Sequence, residues 1–451
     1  MVPPEKEYSD DWLPRSKRDL EFLIDDTAWN SVRQLVRSML RLASGEIPAR
    51  LFGIATLLLL ARRSGVVVVG IYALAQSMVQ YAYPFIDFGL RHVGARLIAK
   101  CPQAGREIVQ RVQRRRLLMA IAIFPFLLAY AALANVPLKF RIFIFVFSAI
   151  SCLYAVSLEW AAWGKEHLRL VGFSQMIVPG CILLFLLLGS RSEHTLGWLI
   201  AGNAVGYCVQ GAVFWQWWRR HRPADRQALS PAVIRESLLW ARTSVMGLAW
   251  LCNLAFNTID MLMLGVMSNP HEVGLYSAAY RIMNQVLFTY YLLTRVLYPK
   301  LARQEGEQRA RALRPGILLA LAGAGILIAL VLAASGKEVL AFVFGQKFLP
   351  ATLLLTLLAW AIPLDFLTSY LSNAYIAWSM EKKVLACTAI AAACEVVLNL
   401  IWIPSYGATA AAVNTLISYV IFLASLAVAG WYSTELGHPR AQPIVVNHVH
   451  E

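Results

Sequence analysis

Charge is scarce in this sequence: Asp, Glu, Lys and Arg make up 15% of its 451 residues, against about a quarter in an ordinary soluble domain. Paired cysteine motifs are absent too. Cys101, Cys152, Cys181, Cys208, Cys252, Cys387 and Cys394 stand apart, with no CxxC spacing and no histidine partners. No disulfide framework and no metal site is expected, and they read as small packing residues. HExxH, GxSxG and Walker A motifs are missing, which leaves zinc-protease, serine-hydrolase and P-loop nucleotide chemistry without their signature residues. The N-terminus lacks the apolar stretch of a secretory signal. It mixes Glu5, Lys6, Glu7, Asp10, Asp11, Arg15, Lys17 and Arg18, so it is expected to stay in the cytoplasm.

What the chain has instead is hydrophobic length. Apolar residues reach 59%, gathered into runs of roughly 18 to 25 residues with almost no charge, the length needed to cross a bilayer. The expected class is an all-α polytopic membrane protein; a β-barrel would show short alternating segments. Hydropathy predicts twelve spans, near 38–61, 66–89, 117–135, 139–163, 168–189, 195–218, 238–266, 274–299, 315–335, 349–377, 383–403 and 407–431. The segment 337–348 is too short to cross and is expected at the interface. Before the first span, Trp29, Val32, Leu35, Val36 and Met39 recur at helical spacing, predicting a surface helix that leads into the membrane.

Basic residues fall mainly on one side of these spans: roughly 22, from Arg91 to Lys383, against about 7 on the other. The positive-inside rule makes the first side cytoplasmic and puts both termini there. It also accounts for the net charge of +15 without a nucleic-acid partner. Loops on the far side hold only a few residues, leaving no extramembrane domain for an enzyme's reaction, and no enzyme is expected.

The chain repeats itself. Gly70-Ile71-Tyr72-Ala73-Leu74-Ala75 opens the second span and Gly274-Leu275-Tyr276-Ser277-Ala278-Ala279 the eighth. Ala162-Trp163-Gly164-Lys165-Glu166 closes the fourth and Ala377-Trp378-Ser379-Met380-Glu381 the tenth. Each match lies six spans from its partner, so both halves share one orientation. Two parallel six-helix lobes around a central lumen are expected, spanning 38–218 and 238–431. A cytoplasmic segment 1–37, a linker 219–237 and a tail 432–451 complete the division.

Three stretches carry a family resemblance: Asn257 to Arg303, with NTIDMLMLG, EVGLYSAAYRI and LYPKLAR; FGQKFLPATLLLTLLAWAIPL; and IPSYGATAAAVNTL from Ile403 to Leu416. They resemble the polysaccharide-biosynthesis, or O-antigen-flippase-like, proteins of the multidrug, oligosaccharidyl-lipid and polysaccharide exporter superfamily. The resemblance spans residues 35–431. It implies a bacterial inner-membrane protein that turns a polyprenyl-diphosphate-linked oligosaccharide from the cytoplasmic to the periplasmic leaflet by alternating access, and a self-contained two-lobe bundle is expected to be a monomer. Lipid II flippases usually have fourteen spans, which disfavours that member. The hydrophilic stretch before residue 35 is longer than the family leads one to expect.

Flipping carries an anionic diphosphate and a polar glycan through hydrocarbon, so intramembrane charges are the first candidates. Glu46 and Arg50 lie four apart on one helix face. Arg50 is about 17 Å deep by helix rise. It is a candidate to grip the phosphates with its planar fork, or else the partner in a self-neutralising pair with Glu46. Pro48 between them is a candidate hinge or a static kink. Asp260 and Arg281 lie at matching depth on the seventh and eighth spans, which predicts a structural ion pair, with a gate or a lumen role for Arg281 as the alternative. Asp365 and Glu395 sit at mid-depth and are candidates for proton uptake in a coupled cycle; the alternative for Glu395 is hydrogen bonding with a neighbour such as Asn399. Asp87, Glu159, Arg41, Arg242 and Arg295 are expected to snorkel to the cytoplasmic surface. Trp215, Trp217 and Trp218 read as an interfacial belt, and Gly323 and Gly325 as close helix packing.

No cofactor is implied beyond a proton or sodium gradient or the membrane potential. Two other functions remain open: a cation-coupled multidrug exporter on the same plan, and a non-transporting membrane partner of a polysaccharide synthase or polymerase. An acidic, aromatic lumen favours the drug exporter and a cationic one the flippase.

Overall fold

The computed structural model describes residues 26–189, 194–221, 240–302, 313 and 315–435. Among the described residues regular structure is entirely helical. The first half contains α1 (Asp26–Asp87), α2 (Leu90–Lys100), α3 (Gly105–Ala122), α4 (Phe124–Leu133), α5 (Leu138–Ser151), α6 (Glu159–Gly164), α7 (Leu168–Leu188) and α8 (Thr195–His221). The second contains α9 (Trp240–Met267), α10 (Pro270–Ala302), α11 (Pro315–Val343), α12 (Thr352–Ala359), α13 (Ala361–Ala377) and α14 (Glu381–Glu435). The predicted surface helix coincides with the start of α1, but the side chains of residues 26–44, Arg41 included, lie outside the described residues, as do those of Arg242 and Arg295.

Nine helical stretches among the described residues are long and apolar enough to cross a membrane, fewer than the twelve expected. Two of them, 45–87 and 381–431, double back on themselves. At Gly65 the backbone leaves the helix with φ 78° and ψ −175°, and at Gly407 with φ 57° and ψ −135°. A side chain at Gly65 would meet no neighbour, so the positive φ itself is what calls for glycine there. α10 has the length to cross, but its polar residues keep it out of the nine. The segment from Lys337 is continuous with the ninth span: α11 runs on through it to Val343, and a 3-10 turn follows at Gln346–Ala351.

Within the first half α7 packs on both α1 and α8; within the second, α14 packs on α9 and α13, and α11 on α13. The halves meet where α1 touches α9 and α10. Near the low-charge side this contact is backbone against backbone. A Cβ on Gly70 would overlap the Pro270 carbonyl oxygen and sit 2.8 Å from the Gly274 nitrogen; one on Gly274 would overlap Val66. The two glycines that mark the sequence repeat therefore press against each other. Around them Asn135 donates to the Gly265 and Ser268 carbonyls at 3.0 Å each, and Tyr130 to Leu262 O at 3.0 Å. The other repeated motif is also structural. α6 and α13 both end in a Schellman turn, with Glu166 and Ser379 at φ 61° and 64° and with His167 N–H bonded to Ala162 O and Met380 N–H to Tyr375 O.

Asp87 and Glu159 do not snorkel. Asp87 and Arg116 are each 1% exposed and form an ion pair at 2.7 Å, with the Tyr154 hydroxyl donating to Asp87 at 3.0 Å and Arg116 donating to Ser157 O at 2.7 Å. Glu159 is buried and pairs with Arg91 at 3.0 Å. Arg116, expected in a basic loop, instead ties α3 to the end of α1. Of the expected aromatic belt only Trp215 is exposed; Trp217 and Trp218 join Trp160 in a small second core. Gly325 packs against Pro363 as expected, whereas nothing approaches Gly323.

Candidate functional site

A cavity of about 420 Å³ lies where the halves meet. α1 contributes Arg50, Gln76, Ser77 and Gln80; α9 contributes Thr258 and Asp260; α10 contributes Tyr280, Arg281, Asn284, Gln285, Phe288 and Tyr291. Polar side chains are costly in hydrocarbon, and facing a shared lumen is how a membrane fold accommodates them. The Arg50 guanidinium lies 3.5 Å from the centre of the Phe288 ring, a cation–π contact that reaches from one half to the other. Its Nη2 is 3.3 Å from Glu46 Oε1, and its buried Nε has no acceptor among the described residues. The helix-face pair foreseen in the sequence thus forms and leaves donors over.

Arg281 is half-buried, and its one hydrogen bond among the described residues runs to Gln76 Oε1 at 3.4 Å. The predicted ion pair with Asp260 is not made. Asp260 lines the same cavity but turns back to accept the N–H of Met261 at 2.8 Å and lies beside Thr415. Matching depth on two helices does not fix the rotation of either about its axis, and here the two side chains line one cavity without pairing. Pro48 leaves the helix unbroken: among the described residues of α1 the one departure from helical dihedrals is at Gly65.

A second chamber, of about 430 Å³, lies inside the second half and shares Thr258, Tyr280, Asn284 and Tyr291 with the first. Asp365 lines it, 3% exposed, with Oδ1 accepting from the Tyr291 and Tyr419 hydroxyls at 3.0 Å each. Trp250, Phe256 and Phe422 complete an acidic, aromatic wall. Glu395, 1% exposed, stands behind it among Asn399, Thr415 and Ser418. Asn399 spends its oxygen on Asn414 Nδ2 at 2.9 Å, and Glu395 Oε2, Asn399 Nδ2, Asn414 Oδ1 and Ser418 Oγ are buried without partners among the described residues. Asp260, Asp365 and Glu395 make no ion pair among the described residues. Among the described residues, then, Asp260, Asp365 and Glu395 are carboxylates that bind no cation, and Arg281 at the junction is a cation that binds no carboxylate.

A third chamber, of about 370 Å³, lies inside the first half and shares Gln76 and Gln80 with the wall of the junction cavity. Sequence reasoning weighed charges and passed over amides. The signal was there: Gln76, Gln80, Gln175, Asn203 and Gln210 are polar residues within apolar spans, and all of them line this chamber.

Residues 35–305, more than half of the chain, match the family described as polysaccharide biosynthesis protein. The chain belongs to that family. No curated protein matches the sequence. Among solved structures, the lipid II flippase MurJ in an inward closed conformation superimposes with a TM-score of 0.66 at 14% identity, covering 87% of both chains. An inward-facing multidrug resistance MATE family transporter of the MOP superfamily gives 0.68 at 12% identity, over 88% of this chain and 98% of that one. The MATE multidrug transporter DinF-BH gives 0.59 at 13%, over 87% and 95%. At these identities the likeness is one of fold: a two-lobed helical membrane bundle shared with proteins named as a flippase and as transporters, not as enzymes.

Proposed function

We propose that this protein is a multi-pass flippase of the bacterial inner membrane that carries polyprenyl-diphosphate-linked oligosaccharide to the periplasmic leaflet, for O-antigen, capsule or exopolysaccharide synthesis. The observation that carries this reading is Arg281: a cation in a membrane cavity, with Arg50 beside the same space and no carboxylate bound to it among the described residues. A charge held there without a partner is costly unless an anion arrives to meet it. Arginine offers the forked donors that fit phosphate. Twelve crossings, grouped as lobes 38–218 and 238–431, place both termini and the linker 219–237 on the basic, cytoplasmic side. The chain works as a monomer in the bilayer, beside whichever polymerase or synthase consumes the glycan. Opening and closing of the glycine contact between the lobes alternates the exposure of the junction cavity. Glu395 and Asp365 are the groups through which a proton or sodium gradient would couple to that movement.

One observation favours a second reading. The acidic, aromatic chamber around Asp365 has the chemistry that suits an amphipathic cation, as a multidrug exporter requires. The test is reconstitution of the full chain with a fluorescent short-chain polyprenyl-diphosphate oligosaccharide, comparing wild type with Arg281→Gln and Arg50→Ala. The expected result is leaflet transfer by wild type and at least a tenfold loss in Arg281→Gln. No transfer by wild type under a proton gradient, a sodium gradient or a membrane potential, together with gradient-driven export of a cationic dye, would replace the first reading by the second.

A further inference from the structure

The chamber inside the first half has no part in holding a diphosphate, since no ionised side chain lines it. Its wall is mixed: Val79, Val178, Pro179, Ile182 and the ring of Phe147 give apolar surface, and among them stand the amides of Gln175, Asn203 and Gln210 and the hydroxyls of Tyr83 and Tyr207. Some of these groups hold one another in place. Asn203 Nδ2 donates to Phe147 O and to Ser151 Oγ at 3.0 Å each, Gln210 donates to Ser174 O at 3.1 Å, and the Tyr83 and Tyr207 hydroxyls bond to each other. Gln175 makes no hydrogen bond among the described residues, so its amide stays available to a guest. Fixed amides that both donate and accept, set among aromatic faces, match the alternating hydroxyls and C–H faces of a pyranose ring. The chamber is at the small end of the range of ligand sites.

Its position relative to the cations adds a second argument. Arg50 lines the junction cavity, and Gly53, one turn further along α1, lines the chamber. The rise between them is about 4.5 Å, the scale that separates a diphosphate from the sugar attached to it. A Cβ on Gly53 would meet nothing within 4 Å, so helix α1 leaves that space open. From the uncharged lining, the adjoining arginines and this spacing, we infer that the chamber is a subsite for an uncharged sugar residue, the one next to the diphosphate. An acidic sugar would enter without a cation to meet it and bear the full loss of its hydration. The inference rests on the proposed transport of diphosphate-linked glycans and adds to it where the first sugar sits and what kind it is.

The experiment measures binding to the full chain in nanodiscs with two probes: a short-chain polyprenyl diphosphate bearing one neutral hexose, and the same lipid diphosphate without sugar. Wild type is expected to prefer the hexose lipid about tenfold, or about 1.4 kcal/mol. Gly53→Leu, which fills the chamber, should abolish that preference, and Gln175→Leu should reduce it. Affinity for the sugar-free lipid should stay unchanged in both variants, which also shows that they are folded. Equal binding of the two probes by wild type, or an undiminished preference in Gly53→Leu, overturns the inference while leaving the flippase reading standing. Failure of wild type to bind either probe removes the flippase reading first, and the subsite with it.

Discussion

The contact between Gly70 and Gly274 can be forced apart by a single side chain. In Gly70→Val the new Cβ would overlap the Pro270 carbonyl oxygen and come within 2.8 Å of the Gly274 nitrogen. Both are backbone atoms of α10 and cannot swing away. Ordinary carbon contacts begin near 3.5 Å, so α1 and α10 must part by about 1 Å at this point. Overpacking of this kind costs about 1–3 kcal/mol, and the cost falls only on the state in which the two helices touch. If the lobes alternate as proposed, the parted state gains about 5- to 150-fold in relative population. The reporter is Ser77→Cys, in the wall of the junction cavity, in a background with the seven native cysteines replaced. An impermeant maleimide added from the low-charge face should label Gly70→Val faster by that factor, and from the basic face more slowly. Gly323→Val is the control, because a Cβ there meets nothing within 4 Å. Unchanged labelling in a Gly70→Val protein that melts like wild type would refute the reasoning, since the overlap would then be relieved without parting the lobes.

Two further expectations concern the first half. Asp87→Ala strands Arg116 in a site where it is 1% exposed; breaking a buried pair this way costs about 3–5 kcal/mol, and the double variant Asp87→Leu with Arg116→Met should recover most of the lost melting temperature. A double variant no more stable than Asp87→Ala would show that the hydrogen bonds from Tyr154 and to Ser157, not the charges, hold this corner. His167, between α6 and α7, has its pKa pushed below the ordinary 6.5 by burial and then by the neighbouring positive charges of His221 and Lys165. The unfolded chain then takes up this proton first, so stability is lost as pH falls below about 6.5 towards the lower folded value, and is fully present above it. His167→Phe should flatten that limb of a melting-temperature profile against pH; an unaltered slope would assign it to another group.

Much of this fold is written in one-dimensional patterns. The predicted spans overlap the helices because hydrophobic length is a local property, although the helix of the third starts at Gly105 rather than 117 and that of the ninth runs to Val343 rather than 335; the repeat was visible because both copies kept their turns. Glu46 and Arg50 were legible as a pair because four residues on a helix fix both height and face. Asp260 and Arg281 show the limit: their heights agree, but the azimuth of each helix is set by packing with α14 and α1, which no short window contains. Asp87 was read as a surface charge because it lies near the end of its span, and Arg116 because it falls in a run of basic residues, yet the two meet as an ion pair, each 1% exposed. The amide-lined chamber was written in the sequence too, in glutamines placed where hydrocarbon-facing residues belong, but an uncharged amide is a quieter signal than an arginine.

The meeting of Gly70 with Gly274 also carries a symmetry. In the proposed plan these residues occupy the same place in two six-helix lobes related by an axis along the membrane normal. In a homodimer of a single unit, that glycine would lie on the two-fold axis and touch its own twin, the isologous contact of a symmetric pair. The contact between the lobes therefore has the form of a symmetric subunit interface, Gly70 lying against Pro270 and Gly274, and Gly274 against Val66. The likeness ends there: among the described residues the second half holds Asp365 and Glu395 without an ion pair, while the first half lines its chamber with amides.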